Sequence, residues 1–248
     1  MNKIIAMVGV VVLAALMLGS VAGAGIGNTQ FAVYLIEPAL HPDPQAFTYV
    51  GETGDIGSFG MPVAPQYISY LQEKLTSLSV GDTVTATFTI PSSAGFSGNP
   101  DGGDSAINFV RFFFKAQLPE GQNTGSISGL NAYTYWWSNP VAYNFGPTDA
   151  SPIGTTTVNG GSITVETSSS SITVTLVVTV DQPYWSDIYG GFGNTNSSTS
   201  AGFNEALGSI TYIGLSFGSN YFFANGVGVT SGPVVFELNA FTVSPPTS

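Results

Sequence analysis

The chain has 248 residues, no cysteine, and only 8% charged residues, with 4 Lys and Arg against 15 Asp and Glu. So few cations exclude nucleic-acid binding, which requires neutralised phosphates, and electrostatic attraction to anionic lipid. The missing cysteines exclude disulfides, thiol nucleophiles and cysteine-based metal sites.

The N-terminus is organised for export. Lys3 precedes an apolar run over 4–18, and a small-residue stretch follows over 19–24. Both Ser20-Val21-Ala22 and Ala22-Gly23-Ala24 fit a cleavage site, so the order of regions is that of a secretory signal peptide. The run is shorter than the roughly 18 residues of a spanning helix. The expectation is a signal peptide over 1–24, cut after Ala22 or Ala24, and one β-sandwich domain over 25–248, secreted or held at the cell surface. Membrane contact is then confined to the signal peptide. Losing Lys3 takes the net charge from −11 to −12. A surface this poor in charge changes little when carboxylates protonate, so tolerance of acid is expected.

Residues 31–36 read as a first strand, with Phe31, Val33 and Leu35 on one face. The segment 66–79 is ambiguous. Ile68, Leu71, Leu75 and Leu78 sit at helical spacing, yet a strand leading into the turn at Ser79-Val80-Gly81-Asp82 also fits. Residues 82–90 alternate cleanly, with Val84, Ala86, Phe88 and Ile90 opposite Thr83, Thr85, Thr87 and Thr89. This is a half-buried strand. A long polar loop follows over 92–105. Residues 107–116 are apolar on both faces, with Val110, Phe112, Phe114 and Ala116 against Phe109, Arg111, Phe113 and Lys115. That pattern predicts a central strand covered twice.

Asn159-Gly160-Gly161 between strand-forming runs predicts a hairpin. Residues 172–180 repeat the alternation, and 190–202 read as a second long polar loop. Two final strands are expected over 210–217 and 234–243. In the last, the apolar spacing slips by one between Leu238 and Phe241, which predicts a bulge near Asn239-Ala240. The fold class expected is all-β: a single sandwich with jelly-roll character and under about 10% helix beyond the signal peptide.

Catalytic equipment is sparse. The one histidine, His41, lies among prolines with no nucleophile motif beside it. A carboxylate pair for glycosidase or acid-protease chemistry remains open. Aromatic clusters are the richer feature. Tyr133, Tyr135, Trp136 and Trp137 form one, with Tyr143 and Phe145 just beyond; Tyr184, Trp185 and Tyr189 form another. Tyr133, Tyr135, Trp136, Trp137, Tyr184 and Trp185 are the candidate ligand-binding residues, because aromatic faces stack on sugar rings while nearby polar groups bond their hydroxyls. Core or interface packing is the competing role. Trp136 and Trp137 are adjacent, so in a strand they point to opposite faces. Asp101 and Asp104, in Asp101-Gly102-Gly103-Asp104, offer oxygens for a Ca²⁺ ion; Glu52 and Asp55 are a weaker pair. Asn196-Ser197-Ser198 is a glycosylation sequon.

Two stretches resemble the galactose-binding-like jelly roll of carbohydrate-binding modules and related exported β domains. One is 67–88, with its Ser79-Val80-Gly81-Asp82-Thr83 turn, and it tips the ambiguous segment toward strand. The other is Ala206-Leu207-Gly208-Ser209-Ile210-Thr211-Tyr212-Ile213-Gly214-Leu215-Ser216-Phe217-Gly218 followed by 234–243. The resemblance implies an exported, non-catalytic binding module with a glycan or polysaccharide as partner. That family's closing strand often carries an Asp beside an Asn tied to Ca²⁺; here Leu238 precedes Asn239. A different class remains open: archaeal-type extracellular filaments are built from exported, Cys-free, Thr-rich β subunits that donate a terminal strand to a neighbour. Residues 25–36 would be that strand and a second copy the partner, against the competing role of completing their own sheet.

Overall fold

A computed structural model describes residues 32–35, 48–51, 56–61, 69–98, 109–117, 133–145, 153–187, 190–218, 227–230 and 232–246. Among them are fifteen strands. In chain order they are β1 (Ala32–Leu35), β2 (Thr48–Gly51), β3 (Gly57–Gly60), β4 (Ser69–Lys74), β5 (Thr83–Pro91), β6 (Phe96–Gly98), β7 (Phe109–Gln117) and β8 (Tyr133–Asn144). The rest are β9 (Gly154–Val158), β10 (Gly161–Thr167), β11 (Ser171–Thr179), β12 (Trp185–Asp187), β13 (Ile210–Phe217), β14 (Val227–Val229) and β15 (Val235–Ser244). One helix, α1 (Ser197–Gly208), and a 3₁₀ turn (Gln182–Tyr184) accompany them.

The fold is an all-β sandwich. One sheet has six strands in the order β1-β4-β13-β7-β8-β12, the other seven in the order β2-β3-β15-β5-β11-β10-β9. A small ribbon pairs β14 with β6, and every pairing is antiparallel. The chain crosses between the two large sheets after β1, β3, β4, β5, β8, β11 and β13, passing through the small ribbon after β5 and β13.

The alternation read from the sequence builds the seven-stranded sheet. Val84, Ala86, Phe88 and Ile90 of β5 and Val174, Leu176 and Val178 of β11 enter the core. Their threonines take the other face, where Thr87 bonds Thr175 and Thr89 bonds Thr173. Fully burying one such Val, Leu or Phe stabilises the fold by roughly 1.5–3 kcal/mol. The β9–β10 hairpin closes on a two-residue turn, Asn159-Gly160, with Val158 opposite Gly161. Gly160 has φ 77°, and a Cβ there would meet the ring of Tyr184. Glycine is needed on both counts. The bulge in β15 lies where expected: Leu238 pairs with Phe88 and Ala240 with Thr87, leaving Asn239 as the extra residue. Its Oδ1 accepts a bond from Thr89 Oγ1 at 2.8 Å.

Three local expectations are corrected or resolved. The ambiguous segment is a strand, β4, between β1 and β13. Leu71, Leu75 and Leu78 are all buried, so their helical spacing came from burial of a strand and the turn after it. The loop expected over 92–105 holds a short strand, β6, bonded to β14. The loop expected over 190–202 runs into α1. Asn196 caps this helix, accepting from the backbone N–H of Ser198 and Thr199. Phe203, Ala206 and Leu207 are its buried face. Serines and threonines hid the helix from a reading by propensity; the cap and the three-then-four spacing were its visible marks.

Candidate functional site

The two faces of the six-stranded sheet are both buried, as the pattern of β7 predicts. On the core side lie Val110, Phe112, Phe114 and Ala116. On the other side, Phe113 is 0% exposed, and Arg111 and Lys115 are also buried.

β8 adds alternate residues to both faces, and it changes phase along its length. Trp136 belongs to the core before the break, and Val141, Tyr143 and Phe145 belong to it afterwards. The break comes at Pro140, which has no N–H to give the ladder. Ser138 bridges the gap: its hydroxyl accepts from Phe112 N–H at 3.1 Å and donates to Val141 O at 3.0 Å. The register between β7 and β8 shifts at that point. Tyr135 and Trp137 lie on the face opposite Trp136, as their adjacency in the strand requires.

The outer face carries a row of rings. Tyr70 of β4 lies 4.2 Å from Phe113 and 6.1 Å from Tyr135 between centroids. Tyr135 stacks on Trp137 at 5.9 Å, with the planes 15° apart. Trp137 Nε1–H donates to Ser216 Oγ at 3.2 Å. The Arg111 guanidinium lies over the Trp137 ring at 5.6 Å and donates to Asn139 Oδ1 at 2.7 Å. Asn139 Nδ2 donates in turn to Ser186 Oγ, so β7, the β8 bulge and β12 are tied together. Burial pushes Arg111 down to about 10 and Lys115 down to about 8, and holds the Tyr70 phenol above its ordinary value. Two buried polar atoms of β4 on this face, Tyr70 Oη and Gln72 Oε1, have no hydrogen-bond partner among the described residues. Burying such a group unpaired costs about 1–3 kcal/mol.

On the core face of the same strand, Glu73 is 4% exposed and its Oε2 has no partner among the described residues. Its register partner is Ile213, and it sits between Leu71 and Leu75, both core residues. Burial pushes its carboxyl up to about 7.

The predicted ligand-binding residues are thus dispersed. Trp136 and Trp185 are in the core, 2% and 0% exposed, packed on Phe203 and Phe114. Their burial gives them a packing role, and no open face for a ligand. Trp185 Nε1–H is also used, donating to Thr179 O. Tyr184 is half-buried against the core with its ring over the Asn159-Gly160 turn. Tyr135 and Trp137 alone share the outer face. Tyr133 opens β8, but its side chain lies outside the described set, as do Asp101, Asp104, Glu52, Asp55, His41 and Tyr189. Among the described residues there is no group of three or more His, Asp or Glu placed to hold a metal. The large hydrophobic side chains exposed there are Val80 and Ile153, neither aromatic.

Sequence reasoning missed Tyr70 and Gln72. They alternate in β4, but a helical reading of that segment sends them to different sides. No protein-family model matches the chain, and no curated protein matches it.

Proposed function

We propose that this chain is an exported, non-catalytic structural subunit that assembles with copies of itself by exchanging β1. The observation that carries this reading is the position of β1. It is a four-residue strand at the edge of the six-stranded sheet, and among the described strands it bonds only β4. Its register sets Val33 opposite Leu71, a core residue. Residues 36–47 separate it from β2, which belongs to the other sheet. A strand held by one ladder at the end of a long connection can leave and be replaced by the same strand of a neighbour, because both pairings make the same hydrogen bonds. Few charges oppose close approach of copies. Electron microscopy of the protein lacking its signal peptide should show filaments. Deleting 25–36 should abolish them, and the deleted protein should bind a peptide of that sequence. Monodisperse monomers at high concentration, at both acid and neutral pH, would end this reading.

A second reading is an exported glycan-binding module. It draws on the likeness of 67–88 and 206–218 to carbohydrate-binding jelly rolls and on no open ring face, since Tyr70, Tyr135 and Trp137 are as buried as the core. Retention on insoluble polysaccharides is its test, and a lack of retention would end it.

A further inference from the structure

We infer that Asn196 carries an N-linked oligosaccharide. Three observations converge on it. Asn196-Ser197-Ser198 has the acceptor sequence, and no other Asn in the chain is followed at the second position by Ser or Thr without an intervening Pro. Asn196, Ser197 and Ser198 are all exposed. The side-chain atoms of the acceptor are also divided in use. Oδ1 accepts from Ser198 N at 2.9 Å and Thr199 N at 3.0 Å, while Nδ2 takes no part in those bonds. A glycan on Nδ2 therefore leaves the cap of α1 intact. The hydroxyls are divided in the same way. Thr199 Oγ1 serves the cap, accepting from Asn196 N and donating to Asn196 O. Ser198 contributes only its backbone N–H, so its hydroxyl remains for recognition by the transferase.

The donor is a lipid-linked oligosaccharide phosphate. A bond forms between Nδ2 and the anomeric carbon of the first sugar, the bond from that carbon to the phosphate oxygen breaks, and Nδ2 gives up one proton as the lipid phosphate leaves. Thr199 Cγ2 and the Asp187 carboxylate both lie near Gly191, so the sugar stands beside β12. That strand is the edge of the six-stranded sheet farthest from β1. The inference shares with the proposed function the step of export, and is independent of assembly.

The test is mass spectrometry of protein recovered from outside the cells that make it. Chymotrypsin, cutting after Phe192 and Phe203, releases the peptide spanning 193–203. Its mass should be raised by whole sugar residues, with fragmentation placing them on Asn196. Ser198→Ala should remove the gain and leave the melting temperature of the enzymatically deglycosylated protein unchanged, because the cap persists. An unmodified peptide from exported protein would overturn the inference. So would a gain that survives in Ser198→Ala, which would mark a sugar on a hydroxyl instead.

Discussion

The outer faces of the two sheets obey the same alternation and have opposite fates. In the seven-stranded sheet, the residues between core positions are mostly threonines, half-exposed or exposed, and pairs of them bond across strands: Thr87 with Thr175 at 3.0 Å, Thr155 with Thr164 at 2.9 Å. In the six-stranded sheet they are Tyr70, Arg111, Phe113, Tyr135 and Trp137, buried as deeply as the core itself. The first face ends the molecule with a layer that water can replace bond for bond. The second holds rings that water solvates poorly and two cations, Arg111 and Lys115, withdrawn from the water that solvates them well, and its energetics belong to the interior. A strand's second set of residues thus tells whether its sheet has one buried face or two.

The comparison is broken most sharply by truncating Phe113. If the outer face of the six-stranded sheet is interior in energy, Phe113→Ala costs about 3–5 kcal/mol, the range for a core phenylalanine. Urea denaturation measures it. A loss under about 1 kcal/mol would return that face to the surface class.

Acid–base behaviour separates the sheets next. Glu73 lies in the core row of the six-stranded sheet with its carboxyl pushed up to about 7, against an ordinary 4.5, whereas Glu166 of the seven-stranded sheet is exposed. Below about pH 4.5 both folded and unfolded chains hold the Glu73 proton, and no pH dependence arises. Between about 4.5 and 7 the unfolded chain has released it and the folded chain has not. Stability therefore falls as pH rises through that window, by at most about 3 kcal/mol, and the full cost stands above it. Lys115, pushed down to about 8, titrates above the window. Melting temperature should decline from pH 4.5 to 7 in the native protein and stay level in Glu73→Gln. A native profile that is level or rising would contradict the placement of Glu73. With the acid tolerance expected from composition, the expected outcome is a fold held more firmly near pH 4.5 than at neutrality.

The smallest effect belongs to the threonine face. A double-mutant cycle of Thr87→Ala and Thr175→Ala should give a coupling of about 0.2–1 kcal/mol, typical of an exposed cross-strand pair. A coupling near 2 kcal/mol would show that this face is less open to water than its half-exposure implies.

How much of this the sequence disclosed follows from what alternation can encode. The Thr–apolar alternation of β5 and β11 permits one reading, and the Asn159-Gly160 hairpin and the β15 bulge follow from turn chemistry and a slip in spacing. The double burial of β7 was legible from Phe113 lying between Arg111 and Lys115. Opposite faces for Trp136 and Trp137 followed from adjacency. Which of the two faced the core did not, because phase in β8 is set by Pro140 and Ser138, and the compensating hydroxyl bond is a tertiary fact. Tyr70 and Gln72 stayed hidden because β4 has its apolar residues three and four apart, a spacing produced where a strand runs into a buried turn. α1 stayed hidden because its sequence is built from Ser, Thr and Gly, and its stability comes from a cap and from Phe203 in the core.

The assembly reading rests on where β1 pairs, and the absence of cysteine makes that directly measurable. Ala32 and Gln72 face each other across the β1–β4 ladder. With Ala32→Cys and Gln72→Cys together, a disulfide between positions 32 and 72, identified by peptide mapping, reports that pairing. Oxidised after assembly and run on a denaturing gel without reductant, the protein should give a ladder of covalent multimers, each β1 linked to the β4 of a neighbour. Monomers alone, each closed by an internal disulfide under the same conditions, would show β1 completing its own sheet and would contradict exchange.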